Sequence, residues 1–250
     1  MKNNTLYASN TAYKFEKERI AGSNNDRIFR DVERNMKGTY PENLEYLDDF
    51  YDKDTGTSGT AFKDKDTGEV ILAYTGSNDL WNDWIKTDIG RIGLGLGDGH
   101  VNSARKFYEK IRTEYGDDII LTGHSLGGNL AQWIALYYNV QKTIIYNPAP
   151  LHISSDNIVN VLDKLTKDTI IRTFGSLEPA KFVSRQLKPI QDESLEKIMK
   201  LEEIFTGQVL RIQSELDVPT MVASALKGKY IGREYFLTNA GIHSLSDIID

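Results

Sequence analysis

The sequence predicts an α/β fold in which helices flank a mostly parallel central sheet, and two observations carry that prediction. Short apolar runs typical of buried strands alternate with longer segments of helical periodicity. One Gly-x-Ser-x-Gly motif also lies directly between such a run and a helical segment. The chain has 250 residues, of which 40% are hydrophobic, which suffices for one large core. We expect residues 1–250 to form a single domain; whether a longer protein continues beyond residue 250 is left open.

The N-terminal third predicts helices followed by a hairpin. Apolar residues between Ile28 and Met36 recur at helical spacing, and Gly38 is a typical residue just beyond a helix end. The pattern then changes to that of strands, and two runs at 60–63 and 70–74 flank the turn sequence Asp-Lys-Asp-Thr-Gly. We therefore expect the two runs to pair as antiparallel strands.

The same Asp-Lys-Asp-Thr-Gly sequence occurs twice, at 52–56 and at 64–68, and such acidic pairs suggest calcium binding. An EF-hand loop begun at the first Asp of either copy would end on Lys63 or Thr75, where calcium coordination needs Glu. We therefore interpret both copies as solvated turns and predict no metal.

Strands and helices alternate in the rest of the chain. A helix is predicted from Val101 to Tyr115, ending at Gly116, and it leads into a buried strand at 119–122. Further strands are predicted at 143–146, 169–172 and 209–212.

Residues 123–127, Gly-His-Ser-Leu-Gly, predict the nucleophile elbow of an α/β hydrolase. The motif follows an apolar strand and precedes a helix in which Leu130 and Ile134 recur. At such a turn the serine adopts a strained backbone conformation, and the glycines let strand and helix pack closely. We therefore predict an α/β-hydrolase fold with Ser125 as the nucleophile.

A serine nucleophile needs a base, and the base needs an acid that orients it. His243 is the candidate base, because the chain order in this fold is Ser, then acid, then His near the C-terminus. Asp217 is the first candidate acid because it follows the predicted strand at 209–212, and Glu178, also after a predicted strand, is the alternative. The other histidines are His100, His124 and His152, which lie in the turn or before the expected region.

An oxyanion hole needs two backbone N–H groups, one from the residue after the nucleophile and one from a loop after an earlier strand. Leu126 supplies the first. The candidate for the second is Ser77 in Thr75-Gly76-Ser77, directly after the apolar strand at 70–74. An ordinary strand-end turn is the alternative interpretation of these three residues.

These motifs resemble those of the class 3, or fungal-type, lipases and their bacterial lipase-like relatives. The matching residues are Tyr-Thr-Gly-Ser at 74–77, Asp83-Trp84, Asp88, Gly-His-Ser-Leu-Gly-Gly at 123–128, Asp-Val-Pro at 217–219 and His243. The similarity covers about residues 70–245. Two departures are that Thr75 replaces the family's usual Arg and that the stretch 169–206 has no clear counterpart.

The resemblance implies hydrolysis of lipid acyl esters, of the lipase or phospholipase A type, without a metal or organic cofactor. Ser125, His243 and Asp217 would form the triad, and the amides of Ser77 and Leu126 would bind the oxyanion. Two alternatives stay open, namely a small-ester or thioester hydrolase and a catalytically silent interaction module.

Two segments are candidates for shaping a lipid site. Residues 90–97 mix apolar residues with glycines and predict either a mobile lip or a packed loop. An apolar stripe on a charged helix predicts either a lid or ordinary core packing, and it comprises Leu195, Ile198, Met199 and Phe205.

Composition limits the partners. A net charge of −6 gives no broad basic field, so we expect no nucleic-acid partner and only transient contact with a membrane surface. Without cysteine the chain has no disulfide and no Cys-ligated zinc.

The N-terminus lacks the apolar core of a signal peptide. We expect a cytoplasmic protein or one exported by a route other than Sec. The resemblance extends to lipase domains of type VII toxins, which implies a secretion or immunity protein as partner.

Overall fold

The computed structural model describes residues 4–76, 98–154, 156–157, 177–217, 221, 223–224, 226–238, 244–245 and 248. Its helices are α1 (Asn4–Ile20), α2 (Ile28–Asn35), α3 (Asp98–Tyr115), α4 (Leu126–Tyr138) and α5 (Leu177–Ile204). Its strands are β1 (Leu44–Asp52), β2 (Thr57–Asp64), β3 (Val70–Tyr74), β4 (Ile119–His124), β5 (Lys142–Tyr146), β6 (Gln208–Ser214) and β7 (Arg233–Leu237).

The seven described strands form one sheet in chain order. β1, β2 and β3 pair antiparallel, whereas β3 to β7 run parallel. The predicted hairpin is confirmed, since β2 and β3 pair from Gly59 with Tyr74 to Lys63 with Val70. The predicted strand at 169–172 lies outside the described residues. The mostly parallel sheet predicted from the sequence is therefore confirmed.

Helices cover both faces of the sheet, and β3 shows how the two faces divide. Ile71 and Ala73 belong to the core under α1 and α2, while Leu72 and Tyr74 belong to the core under α3 and α4. All five residues of β3 are buried. A strand buried on both faces has an unbroken apolar sequence, which is why the run at 70–74 predicted it well.

The predicted helix ends are also confirmed. α2 stops shortly before Gly38, whose φ is +85°, and α3 stops before Gly116, whose φ is +93°. The N–H of Gly116 donates to the carbonyl oxygen of Arg112 at 2.9 Å, which satisfies the last turn of α3.

Two of the four residues of the apolar stripe on α5 and beyond pack in the core. Ile198 is fully buried in the main core, and Phe205 packs against the same cluster. Met199, by contrast, is 54% exposed. These positions favour core packing over a lid for Ile198 and Phe205. The other candidate segment, residues 90–97, lies outside the described residues.

The turn between β4 and α4 has the strained geometry that the motif predicts. Ser125 has φ 55° and ψ −123°, a conformation that costs a non-glycine residue about 1–3 kcal/mol. Its N–H donates to the carbonyl oxygen of Tyr146 at 3.2 Å, and its carbonyl oxygen accepts from the N–H of Ala149 at 2.9 Å. Hydrogen bonds from Gly128 and Asn129 to the same oxygen hold the turn from the helix side.

The glycines of the motif lie where a side chain has no room. A Cβ on Gly123 would lie 2.4 Å from the carbonyl oxygen of Gly127. One on Gly127 would lie 2.2 Å from the carbonyl oxygen of Tyr74, and one on Gly128 would lie 2.6 Å from the Cβ of Pro148. The predicted steric role of the glycines is confirmed, and it brings the backbone of α4 into contact with the end of β3.

Replacing Gly127 by Ala should lower the free energy of unfolding by more than about 3 kcal/mol, because the clash is with backbone that cannot move away. This opposes the usual gain of about 1 kcal/mol for Gly to Ala within a helix. Urea unfolding measures the change. The matched control is Gly99→Ala in the first turn of α3, whose nearest neighbour is the Thr55 methyl group at 3.1 Å. Equal stability of the two variants would contradict the steric account.

Candidate active site

Ser125 lies where strand β4 ends and helix α4 begins. The residue is buried, with 6% of its surface exposed, and Leu126 is the first residue of α4. The first N–H groups of a helix have no acceptor within the helix, and the helix dipole makes this end positive. The N–H of Leu126 is therefore placed as its predicted oxyanion role requires, although the role itself stays a prediction.

The loop after β3 packs directly on the candidate nucleophile. A Cβ on Gly76 would lie 3.1 Å from the Cβ of Ser125 and 2.8 Å from the carbonyl oxygen of His124. Only glycine allows this approach without displacement of the elbow. Ser77, the predicted second donor, lies outside the described residues, but the residue before it is held beside Ser125.

Asp217 follows β6 at the same edge of the sheet as Ser125. It is fully buried, and its N–H donates to the carbonyl oxygen of Ser214 at 3.1 Å. Because β4, β5 and β6 are parallel neighbours, their carboxyl ends lie together. The alternative acid, Glu178, is the second residue of α5.

A buried amide ties the Asp217 turn to the neighbouring strand. The side-chain oxygen of Asn147, just after β5, accepts a hydrogen bond from the N–H of Ser214 at 2.8 Å. The N–H of Asn147 in turn donates to the carbonyl oxygen of Ile212 at 2.8 Å. Asn147 has a φ of 39°, which asparagine tolerates better than most residues. It therefore fixes where the chain leaves β6 and turns towards Asp217.

Two further buried amides on α4 hold the loop after β5. The Asn129 side-chain amide donates to the carbonyl oxygen of Pro150 at 2.5 Å, and that of Gln132 donates to the carbonyl oxygen of Ala149 at 3.1 Å. The side-chain oxygen of Gln132 also accepts from the N–H of Ile231 at 3.2 Å. Losing either side chain would leave buried partners without hydrogen bonds, which is costly. The helix that begins at the elbow thus anchors the surrounding loops.

His243, the predicted base, lies outside the described residues, but the chain just beyond it is described. Leu245 is buried and clusters with Leu6 of α1 and Tyr146 of β5. Tyr146 is the residue whose carbonyl oxygen accepts the N–H of Ser125. The C-terminal segment therefore reaches the elbow end of β5.

Each of the three other histidines contacts another residue of the fold. His100 hydrogen-bonds to the Thr57 hydroxyl at 2.9 Å, and His124 hydrogen-bonds through Nδ1 to the Tyr13 hydroxyl at 3.0 Å. His152 is buried beside Lys229, and burial lowers its pKa below the ordinary histidine value. None of these three contacts involves the side chain of Ser125.

Sequence reasoning missed the contribution of α1 to this region. Tyr13 contacts both Gly76 and His124, and Glu16 accepts a hydrogen bond from Thr75 at 3.1 Å. Thr75 is the residue that departs from the fungal-type pattern. The available signal was the spacing of hydroxyl-bearing residues at every fourth position of α1, starting from Thr5.

The two Asp-Lys-Asp-Thr-Gly segments, at 52–56 and 64–68, form turns in the structure. Asp52 accepts hydrogen bonds from the Thr55 hydroxyl at 2.9 Å and from the N–H of Asp54 at 3.0 Å, and a hydrogen bond from Ser103 lowers its pKa. Within the described part of the chain, no three His, Cys, Asp or Glu side chains gather as a metal site would require. Among the described helices, none combines the length and the hydropathy that crossing a bilayer needs.

Known structures share the fold. A lipase from Rhizopus microsporus var. chinensis is 14% identical, with a TM-score of 0.53 over 93% of this chain and 72% of that one. A triacylglycerol lipase whose catalytic centre is formed by a serine protease triad is 13% identical, with a TM-score of 0.53 over 95% and 80%. At such identities the similarity shows the fold alone, and it confirms the predicted α/β-hydrolase architecture.

Sequence comparisons identify the family. A 68-residue segment is 37% identical to the extracellular phospholipase A1 of Serratia liquefaciens, and it covers 27% of this chain and about a fifth, 20%, of that relative. Residues 23–171 match the Tle-like phospholipase domain, a phospholipase-like family. The match takes in α2 to α4, β1 to β5 and the elbow, and it spans more than half of the chain. The chain therefore belongs to the family of Tle-like phospholipase domains.

Proposed function

We propose that the chain hydrolyses acyl esters of lipids, as a lipase or phospholipase A, with Ser125 as nucleophile. The observation that carries the proposal is the strained, buried Ser125 at the head of α4 with the loop after β3 packed on it. Membership of a phospholipase family gives that geometry a substrate class. The curated relative is a phospholipase A1 by name, and several structural neighbours are lipases.

The reaction is acyl transfer to water. The Ser125 hydroxyl attacks the ester carbonyl carbon while His243 takes its proton, and the carbonyl oxygen gains a negative charge. The N–H groups of Leu126 and Ser77 bind that oxygen. Collapse of the tetrahedral intermediate breaks the ester bond, and His243 gives its proton to the leaving alcohol. Water, deprotonated by His243, then releases the fatty acid by the same steps, with Asp217 orienting the imidazole.

Two packing observations support this assignment of base and acid. Leu245 belongs to the same apolar cluster as Tyr146, the residue that hydrogen-bonds the elbow, and it lies two residues beyond His243. Asp217 is buried at the carboxyl edge of the sheet, where the acid of an α/β hydrolase is expected.

Finer proposals rest on the resemblance to type VII toxin domains. We propose export by a route other than Sec and pairing with a secretion or immunity protein.

Ser125→Ala should reduce fatty-acid release from dispersed phospholipid and triacylglycerol by about 10³-fold or more while leaving the far-UV circular dichroism unchanged. Mass spectrometry of the released acids measures the rate, and fluorophosphonate labelling should be lost in parallel. Release from soluble short-chain esters alone would favour the small-ester alternative. A wild-type chain without any esterase activity would favour the silent interaction module.

Asp217→Asn should lower kcat by about 10³ to 10⁴, because the amide favours the wrong imidazole tautomer. Glu178→Gln, the matched neutral substitution at the rival carboxylate, should change kcat by less than about threefold. Steady-state kinetics on the two folded, purified variants decide between them. The reverse ranking would assign the acid role to Glu178.

Lipid hydrolysis should be unaffected by EDTA, because the proposed mechanism uses no metal. Activity should fall as the pH drops below ~6.5, because the base must be neutral and an unperturbed histidine titrates near that value. The free energy of unfolding must be measured over the same pH range, so that loss of activity can be separated from loss of folded protein. Burial lowers the pKa of His152, so the folded state is fully stabilised above the unfolded-state pKa and loses stability as the pH falls below it. Activity that vanishes with EDTA and returns with calcium would contradict the metal-free mechanism.

A further inference from the structure

Helix α1 lies outside the family match, which begins at residue 23, yet it makes a polar contact with the sheet at every turn. The Thr5 hydroxyl lies 2.8 Å from the Tyr146 hydroxyl, and the Ser9 hydroxyl lies 2.8 Å from that of Thr122. Tyr13 continues the series one turn later. Residues four apart share one face of a helix, so these contacts form a row that crosses the sheet from β5 to β4 and the loop after β3.

The Tyr13 hydroxyl bridges the ends of two strands. It accepts a hydrogen bond from the N–H of Gly76 at 2.9 Å, in the loop after β3. It also lies 3.0 Å from Nδ1 of His124, the last residue of β4. The direction of this second hydrogen bond is set by the tautomer of His124. Burial raises the pKa of Tyr13 above the ordinary tyrosine value, so the phenol stays protonated at neutral pH.

Glu16, one turn further along α1, holds the residue before Gly76. Its carboxylate accepts hydrogen bonds from the Ser58 hydroxyl at 2.7 Å and the Thr75 hydroxyl at 3.1 Å. Glu16 and Thr75 are both buried. The two residues that lead into the predicted oxyanion donor are thus both fixed by α1, one through its side chain and one through its backbone.

We propose that Tyr13 is a positioning residue that holds the oxyanion loop in register with the nucleophile elbow. The inference rests on the proposed function, since it assigns the support of that same site. An oxyanion donor acts only when it lies about 2.7–3.1 Å from the developing charge, so a small displacement of the loop weakens it. Tyr13 fixes the distance because the same hydroxyl binds the loop and the residue that precedes Ser125.

The test is Tyr13→Phe, which removes the hydroxyl and keeps the ring. With a soluble p-nitrophenyl ester, kcat should fall about tenfold to 100-fold, less than the ~10²–10³ for loss of a donor itself, while KM changes less than about twofold. The affinity for a trifluoromethyl ketone, which forms a tetrahedral oxyanion adduct with the serine, should fall in parallel with kcat. The matched control is Ser9→Ala, which removes a hydroxyl contact of the same helix one turn away.

Ser9→Ala should leave kcat and ketone affinity within about twofold of wild type, even if urea unfolding shows that it is destabilised as much as Tyr13→Phe. If both variants keep wild-type kcat and ketone affinity, the positioning role is wrong and the proposed function stands. If both lose kcat equally, α1 has only a general structural role. If the wild-type chain itself neither hydrolyses esters nor binds the ketone, the proposed function fails first.

Discussion

The close contact between the backbone of α4 and the end of β3 is the constraint on which the rest of this structure depends. Gly127 lies so near the carbonyl oxygen of Tyr74 that a single added carbon would stand 2.2 Å from it. This contact brings the loop after β3 beside Ser125 and the first N–H groups of α4. The candidate nucleophile, the helix terminus and the candidate oxyanion loop are therefore placed by one steric arrangement that only glycine permits.

Buried polar contacts then hold what the glycines bring together. The elbow has a strained serine, and strain of about 1–3 kcal/mol persists only where the surroundings over-determine it. Here the surroundings include the Asn129 and Gln132 amides, the Asn147 amide that ties β5 to β6, and the hydroxyl of Tyr13. The amide contacts are buried and that of Tyr13 is partly buried. Removing one partner of a buried hydrogen bond leaves an unsatisfied polar group, so these contacts fix the site in addition to apolar packing.

The sequence predicted the strands that are buried on both faces, because a continuous apolar run is visible without knowledge of the fold. It did not predict β1, whose Asp48 and Asp49 break the apolar pattern. These two carboxylates form ion pairs with Lys110 and Arg19, and such distant partners cannot be inferred locally. β7 was missed because its residues are largely exposed and its apolar residues do not alternate with polar ones. Helices were predicted in the N-terminal third, but no bounds were predicted for α1, because its buried face consists mainly of small and hydroxyl-bearing residues.

The same distinction applies to the site. Ser125 and Asp217 could be predicted because a local motif and the chain order point to them, and in the structure both residues lie at one edge of the sheet. Tyr13 was not found, because its partners Gly76 and His124 lie 63 and 111 residues further along the chain. The spacing of the hydroxyl-bearing residues on α1 indicates a shared helix face, but it does not indicate which distant segments that face contacts.

The central claim is that the elbow and the loop after β3 together form an oxyanion-binding site around Ser125. A crystal structure of the chain with a covalently bound alkyl phosphonate tests it most directly. We expect phosphorus bonded to the Ser125 oxygen, the phosphoryl oxygen about 2.7–3.1 Å from the N–H groups of Leu126 and Ser77, and His243 between Ser125 and Asp217. A phosphonate on another residue, or a phosphoryl oxygen that points away from both N–H groups, would contradict the account.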